Sequence, residues 1–260
     1  MEQLGIEASR PYLAQLYAPL CKLTEWWYTM RAGPNNMPLY YDGNESGWDN
    51  TTVFDAGPPV EGVDLATYLI LQMETLSFMA SLLAQPAESH AWNVRAEEQL
   101  QQLLYYAVVD DRFRSRSPDT NDNTSACSLQ TYLPILLGKR LPQAILNALK
   151  TDLADGGPFL TAYGLASESL RSSKYEADSY WRGPIWAPPT YQIVDGLTAA
   201  GEIALARLIA QRYCDMIVQA PGFYENYDAL TGKGLRCPGV CWTAAVFLLL
   251  ATWLEQHPAS

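Results

Sequence analysis

Apolar residues recur along most of the chain at helical spacing, and the two-residue alternation of a half-buried strand is almost absent. Leu65, Leu69, Met73, Leu76, Ala80 and Leu83 make one stripe, which predicts a helix ended by Pro86. Trp92, Ala96, Leu100, Leu103 and Ala107 make a second, with Arg95, Glu97 and Glu98 facing outward, and predict a helix over 89–109. The short link between them makes an antiparallel hairpin. A first helix is expected over 10–30, with Pro11 early in it and Gly33-Pro34-Asn35-Asn36 stopping it. Shorter helices follow over 129–137 and 141–153, the second opened by Pro142. Pro188-Pro189 starts another that runs to Ala200, and Gly201 breaks the chain before its partner over 202–219, which carries Leu205, Leu208, Ile209 and Met216. A last apolar helix spans 241–256. Only Arg112, Arg114 and Arg116 alternate as on a strand, and they predict a surface excursion over 110–128, a short hairpin whose arginines pair with acids.

The connections are very unequal. One long loop carries Glu45-Ser46-Gly47-Trp48-Asp49-Asn50 and continues to Gly57-Pro58-Pro59. A second starts at Gly156-Gly157-Pro158, passes Tyr163, Glu168 and Tyr175, and ends in Tyr180-Trp181-Arg182-Gly183-Pro184-Ile185-Trp186. A third, over 221–239, holds Phe223-Tyr224-Glu225-Asn226-Tyr227 and a turn at Asp228-Ala229-Leu230-Thr231-Gly232. Long loops separated by helix pairs fall at the same end of an antiparallel array, which places Asp49, Trp181 and Glu225 on one face.

Composition narrows the partners. A formal charge of -11 opposes binding to nucleic acid or an anionic membrane, and a neutral substrate fits better. The run over 240–254 is interrupted by threonines and is shorter than the ~20 residues needed to cross a bilayer, and the N-terminus lacks a signal-peptide pattern. A soluble, cytoplasmic chain without a membrane partner is expected. The five cysteines, Cys21, Cys127, Cys214, Cys237 and Cys241, are odd in number and suit reduced thiols. Cys237 and Cys241 are spaced for zinc in principle, but His90 and His257 show no matching spacing, so no metal and no cofactor is expected. Sixteen Tyr and eight Trp are many for 260 residues; most belong to packing, yet such side chains also line sugar clefts.

The loop acids suit that chemistry. A carboxyl beside an indole serves a sugar, whose ring stacks on the aromatic face while the carboxyl reaches the glycosidic oxygen. The competing reading of Asp49 or Asn50 is a helix cap in a turn. Asp55 reads equally as a helix-end partner, Trp242 as core or pocket, and Glu45 as a brace for its own loop.

Taken in order, Glu45-Ser46-Gly47-Trp48-Asp49-Asn50, Tyr180-Trp181-Arg182-Gly183-Pro184-Ile185-Trp186 and Glu225-Asn226-Tyr227, with Thr231-Gly232 and Trp242-Thr243-Ala244, resemble the catalytic domain of family 63 glycoside hydrolases. That group includes mannosyl-oligosaccharide glucosidases and the mannosylglycerate and glucosylglycerate hydrolases; trehalases share the fold and first motif but differ in the central one. The resemblance implies an all-α six-hairpin (α/α) toroid and hydrolysis of an α-linked glucoside or mannoside, a small oligosaccharide or glycoside, with inversion. It implies Asp49 as general acid and Glu225 as general base. Trp48, Trp181 and Trp242 would wall the sugar pocket with Trp186, and Arg182 would bond hydroxyls or hold a carboxylate in place. Asn50, Tyr180 and Tyr227 would be further substrate contacts. About eight of the family's twelve helices are countable, and about 44 residues precede the acid motif. Residues 1–260 are therefore expected to be one domain, the C-terminal portion of the family's catalytic domain, with an upstream part missing or supplied by another chain. Open faces are then expected at Leu13, Leu16, Leu20 and Leu23 and at Phe247, Leu250 and Leu254, inviting self-association. The alternative function is a non-catalytic sugar-binding module or partial subunit, which needs neither acid nor base.

Overall fold

The computed structural model describes residues 5–120, 124 and 126–258, and its long helices follow the apolar stripes. Helix α1 is Ile6–Met30. It begins ahead of the expected start and carries Pro11 and Pro19 inside it, with Ser9 Oγ and N both donating to Gly5 O in the first turn. The first loop holds β1 (Leu39–Tyr40), the short α2 (Gly43–Ser46) and β2 (Val60–Glu61), β1 pairing antiparallel with β2. It leads into α3 (Val63–Leu82), and α4 (Pro86–Ala107) returns against it, Pro86 entering the first turn, where an absent N–H costs nothing.

Helix α4 stops short of the expected residue 109. Val108 and Val109 leave it as β3 (Val108–Val109) and pair with β4 (Arg112–Phe113). The turn between them places Asp110 and Asp111 at φ 50° and 58°, a left-handed conformation that aspartate tolerates. Of the three arginines expected to pair with acids, Arg112 does so with Asp152, at 2.6 Å. Arg114 donates to Ala126 O at 3.3 Å, and Arg116 donates to Tyr106 O while its charge also falls on Glu61.

The second half keeps the same rhythm. A 3-10 segment, Leu129–Arg140, contains Pro134 and kinks at Gly138 (φ 56°, ψ -132°), where a β-carbon would meet the backbone of Ala199. Then come α5 (Gln143–Leu153), capped rather than opened by Pro142, α6 (Ala187–Ala200), α7 (Ile203–Gln219), the hairpin β5 (Asn226–Tyr227) with β6 (Gly234–Leu235), and α8 (Cys241–Gln256).

Packing sorts these helices into two rows. Helix α3, the Leu129–Arg140 segment, α6 and α8 are successive neighbours in an inner row. Outside them α4 lies on α3, α5 on the 3-10 segment, and α7 on α6 and α8. Helix α1 packs on α3 and is bonded to α4 through Tyr17, whose hydroxyl donates to Glu88 Oε2 at 2.7 Å and accepts from Trp92 Nε1 at 3.1 Å. Each inner element is entered from a connecting loop and each outer one leaves it, which is the winding of an (α/α) toroid. Helix α3 is long and apolar enough to cross a membrane by length and composition, but it is packed among α1, α4 and the 3-10 segment, with Ile70, Met73, Leu76 and Ala80 wholly buried.

The free faces differ in detail from expectation. On α1, Leu16 and Leu23 are exposed, together with Tyr12, Trp26 and Met30, while Leu13 and Leu20 pack on the core. On α8, Leu250 is fully buried and Phe247 and Leu254 are partly so; the exposed leucines are Leu248 and Leu249. A helix turns about 100° per residue, so the inward face claimed Leu250 and left its two predecessors outside.

Candidate active site

The inner row is entered from one end by three motif-bearing loops. In the first, Asp42 Oδ1 accepts from Glu45 N at 3.0 Å and starts α2, which Gly47 ends in a left-handed turn at φ 73°. Glu45 is a brace: its carboxylate accepts from Tyr41 N at 2.6 Å and pairs with Arg31 at 2.9 Å. The chain then places Trp48 in the core and Asp49 at the surface. The loop is compact enough that a β-carbon on Gly43 would lie 2.0 Å from Asp49 O.

Asn50 is neither a helix cap nor a free hydrogen-bonding group. Its Oδ1 accepts from Trp181 N at 2.9 Å, its Nδ2 donates to Ser179 O at 3.1 Å, and its carbonyl accepts from Arg182 Nε at 2.7 Å. It joins the first loop to the second. Arg182 does hold a carboxylate, but it is the protein's own: Asp55, at 2.5 Å, which Lys174 also pairs with at 2.7 Å. Arg182 thus adds a second tie between the two loops. Between the two backbone groups that Asn50 holds, Tyr180 sits at φ 56°, sparsely populated for a residue with a β-carbon, and its carbonyl accepts from Trp186 Nε1 at 2.9 Å.

In the third loop, Ile185 N donates to Tyr227 O at 2.7 Å and Tyr227 N to Ile185 O at 3.0 Å, stitching the central motif to the base motif. Tyr227 itself is buried in the core, its hydroxyl donating to Gly222 O and accepting from Tyr224 N. That corrects its assignment as a substrate contact, since neither ring nor hydroxyl is left to a ligand. Glu225, the acid two positions earlier, is half-buried, its amide donating to Cys237 O at 2.8 Å.

Tyr180 bonds one candidate carboxylate and lies in the field of the other. Its hydroxyl donates to Glu225 Oε1 at 3.2 Å. Burial pushes its pKa up, the charge of Glu225 and then that of Asp49 push it further, and Arg236 opposes them, its guanidinium 5.2 Å from the ring centroid. The expectation that long loops share one end is realised here in residues far apart in sequence.

Beside this group lies a cavity of about 290 Å³ lined by tryptophans. Trp181 and Trp186 stack at 3.9 Å with ring planes 6° apart, Trp48 lies 4.4 Å from Trp181, and the half-exposed Trp242 closes the mouth 6.4 Å from Trp186. The indole N–H of Trp181 is buried without a protein acceptor. Tyr68 and Gln192 complete the wall, bonded to each other at 3.1 Å. Neither was anticipated; both lie on inner helices away from the motif loops, and the legible signal was only that a Tyr and a Gln interrupt apolar helices near their N-termini. Among the described residues no group of three or more His, Cys, Asp or Glu could hold a metal.

The family of mannosylglycerate hydrolase MGH1-like glycoside hydrolase domains matches residues 1–243. The chain belongs to this family. Mannosylglycerate hydrolase MGH1 of Selaginella moellendorffii is 29% identical over 204 residues, which span 75% of the present chain and 40% of the relative. Mannosylglycerate hydrolase of Thermus thermophilus is 30% identical over 198 residues, 73% of the chain and 45% of the relative. The chain thus spans about two-fifths of the length of these curated relatives. The crystal structure of a family 63 mannosylglycerate hydrolase from Thermus thermophilus in complex with glucose superposes with a TM-score of 0.79 at 23% identity, over 94% of this chain and 70% of that one. Over the part it spans, the chain therefore shares the six-hairpin fold of that structure, with its inner and outer rows as described above.

Proposed function

We propose that the chain is a glycoside hydrolase that cleaves an α-linked glucoside or mannoside with inversion, Asp49 acting as general acid and Glu225 as general base. The observation that carries this reading is that the loops bearing Asp49 and Glu225 meet at Tyr180, one through the Asn50 bonds to its two neighbours and the other through Glu225 Oε1, beside a tryptophan-walled cavity. An inverting displacement needs carboxyl groups on opposite faces of the sugar with room for a water, roughly 6.5–9.5 Å apart. Two acids delivered by separate loops at one end of the array fit that demand. Asp49, the more exposed, protonates the departing oxygen, while Glu225 takes a proton from the attacking water. The half-exposed indole of Trp242, at the edge of the cavity, suits the apolar face of a sugar ring. On this reading residues 1–260 work as one domain.

The names of the relatives make mannosylglycerate the first substrate to try, beside glucosylglycerate, maltose-type and kojibiose-type disaccharides and trehalose. Product followed by proton NMR should first appear with the anomeric configuration opposite to the substrate's; first-formed product of unchanged configuration would overturn inversion. Asp49→Asn and Glu225→Gln should each lower kcat by ~10²- to 10⁴-fold with an unaltered helical signal. Near-normal turnover in either variant removes that residue from its role. A chain that binds sugar but turns over none of these substrates is instead a sugar-binding module.

A further inference from the structure

Tyr180 is built in an unusual way for a side chain that merely lines a pocket. Its backbone is left-handed at φ 56°, and three hydrogen bonds hold it there: Asn50 grips Ser179 O and Trp181 N, and Trp186 Nε1 grips the Tyr180 carbonyl. Strain of this kind persists where surrounding structure enforces it. What the conformation achieves is the delivery of a phenol to Glu225 Oε1, with the Arg236 guanidinium over the ring. Arg236 is fixed in turn, donating to Asn226 Oδ1 at 2.8 Å and pairing with Asp178 at 2.9 Å. The residue that clamps Tyr180 is the immediate neighbour of Asp49. A single connection therefore runs from the acid's loop through Asn50 and Tyr180 to the base.

We propose that Tyr180 is a positioning residue for Glu225, orienting its carboxylate toward the attacking water, and that Asn50 serves the reaction by holding Tyr180 in place rather than by touching sugar. This deepens the function proposed above and rests on it. In the step concerned, water oxygen bonds to the anomeric carbon, its proton passes to Glu225, and the bond to the leaving group breaks; Tyr180 keeps its own proton throughout. The hydroxyl fixes which Glu225 oxygen is free and where it points. A hydrogen bond to an ionised group holds such a geometry strongly, and a misplaced base loses much of its effect.

Glycosyl fluorides separate the acid from the base, since fluoride leaves without a proton from Asp49 while the water still needs Glu225. With the α-fluoride of the sugar that the chain cleaves, Asp49→Asn should recover most of its activity and Glu225→Gln should not. Tyr180→Phe keeps ring, stacking and cation contact and should lose about 10- to 100-fold in kcat on glycoside and fluoride alike, with KM changed less than about twofold. In a Glu225→Gln background the same substitution should cost nothing more. Asn50→Ala, which frees the clamp and leaves the phenol intact, should reproduce the fluoride defect and serves if Tyr180→Phe lowers the melting temperature. A Tyr180→Phe loss confined to the glycoside would assign the phenol to Asp49 and overturn the proposal, as would a raised KM with unchanged kcat. If Glu225→Gln loses activity while Tyr180→Phe and Asn50→Ala match the parent, the positioning role fails and the acid–base assignment stands. If Glu225→Gln is active, or the parent is silent on both substrates, the proposed activity itself has failed and the positioning role falls with it.

Discussion

Asp64 shows how far a single residue can depart from its ordinary chemistry. It is wholly buried near the start of α3, where Oδ2 accepts from Gln130 Nε2 at 2.9 Å and Tyr40 OH at 3.2 Å while Oδ1 has no side-chain partner. Burial raises its pKa to about 6 from an ordinary 3.8, against the hydrogen bonds that lower it. The folded chain thus holds this proton more tightly than the unfolded one, so the Asp64 contribution to stability is lost as pH rises from about 4 through about 6. Replacing Asp64 by Asn keeps an acceptor for Gln130 and Tyr40 without the charge. Relative to the parent, Asp64→Asn should gain up to about 3 kcal/mol between pH 4 and pH 7, read from urea unfolding at the two pH values. A difference that does not change with pH would show that Asp64 ionises freely in the fold. Residue roles were the least legible part of the sequence. Asn50 and Arg182 are polar residues in the motif loops, yet their partners, Trp181 and Asp55, lie more than a hundred positions away. No local pattern reveals bonds of that separation. Tyr227 was misread for the same reason: a motif tyrosine and a core tyrosine look alike until the backbone bridge to Ile185 turns one of them inward.

At the scale of elements the chain was more readable. The stripes on α3 and α4 gave both helices nearly to their ends because one face of each must be buried, and α8 falls at the expected bounds. The errors sit where a local signal is ambiguous. Two valines at the end of α4 fit a helix or a strand, and the turn at Asp110 and Asp111 decided for the strand. The loops that hold the site depend on close backbone approaches which only glycine permits. Gly43 faces Asp49 O, and Gly183, inside the central motif, leaves no room for a β-carbon beside Glu176 O. Gly43→Ala should displace the Asp49 backbone and lower kcat by on the order of 10-fold or more while leaving α3 and α4 folded, because misplacement by about 1 Å can cost 10²-fold. Unaltered kinetics in that variant would mean that the acid's loop can relax without moving its carboxyl.

Across the whole molecule, the two-row winding leaves α8 as the last inner helix, with Leu248 and Leu249 outward and Trp242 at its first turn. Exposed Tyr12, Leu16, Leu23, Trp26 and Met30 put a second apolar face on α1. Contiguous apolar surface of this kind drives association. The chain should therefore show concentration-dependent mass in light scattering, and Leu248→Lys with Leu249→Lys should shift it toward monomer without loss of helical signal. A monodisperse parent at high concentration would show that these side chains are tolerated singly.

The Asn50 clamp has a consequence in time. Its bond to Trp181 spans 131 residues of chain, so it cannot form until the central motif has been made. Synthesis proceeds at ~5–20 residues per second, which leaves the acid's loop without its anchor for on the order of ten seconds. During that interval α3 and α4 can already be folded, since their contacts are local. The helix pair comes first and the tie between the loops of the candidate site last.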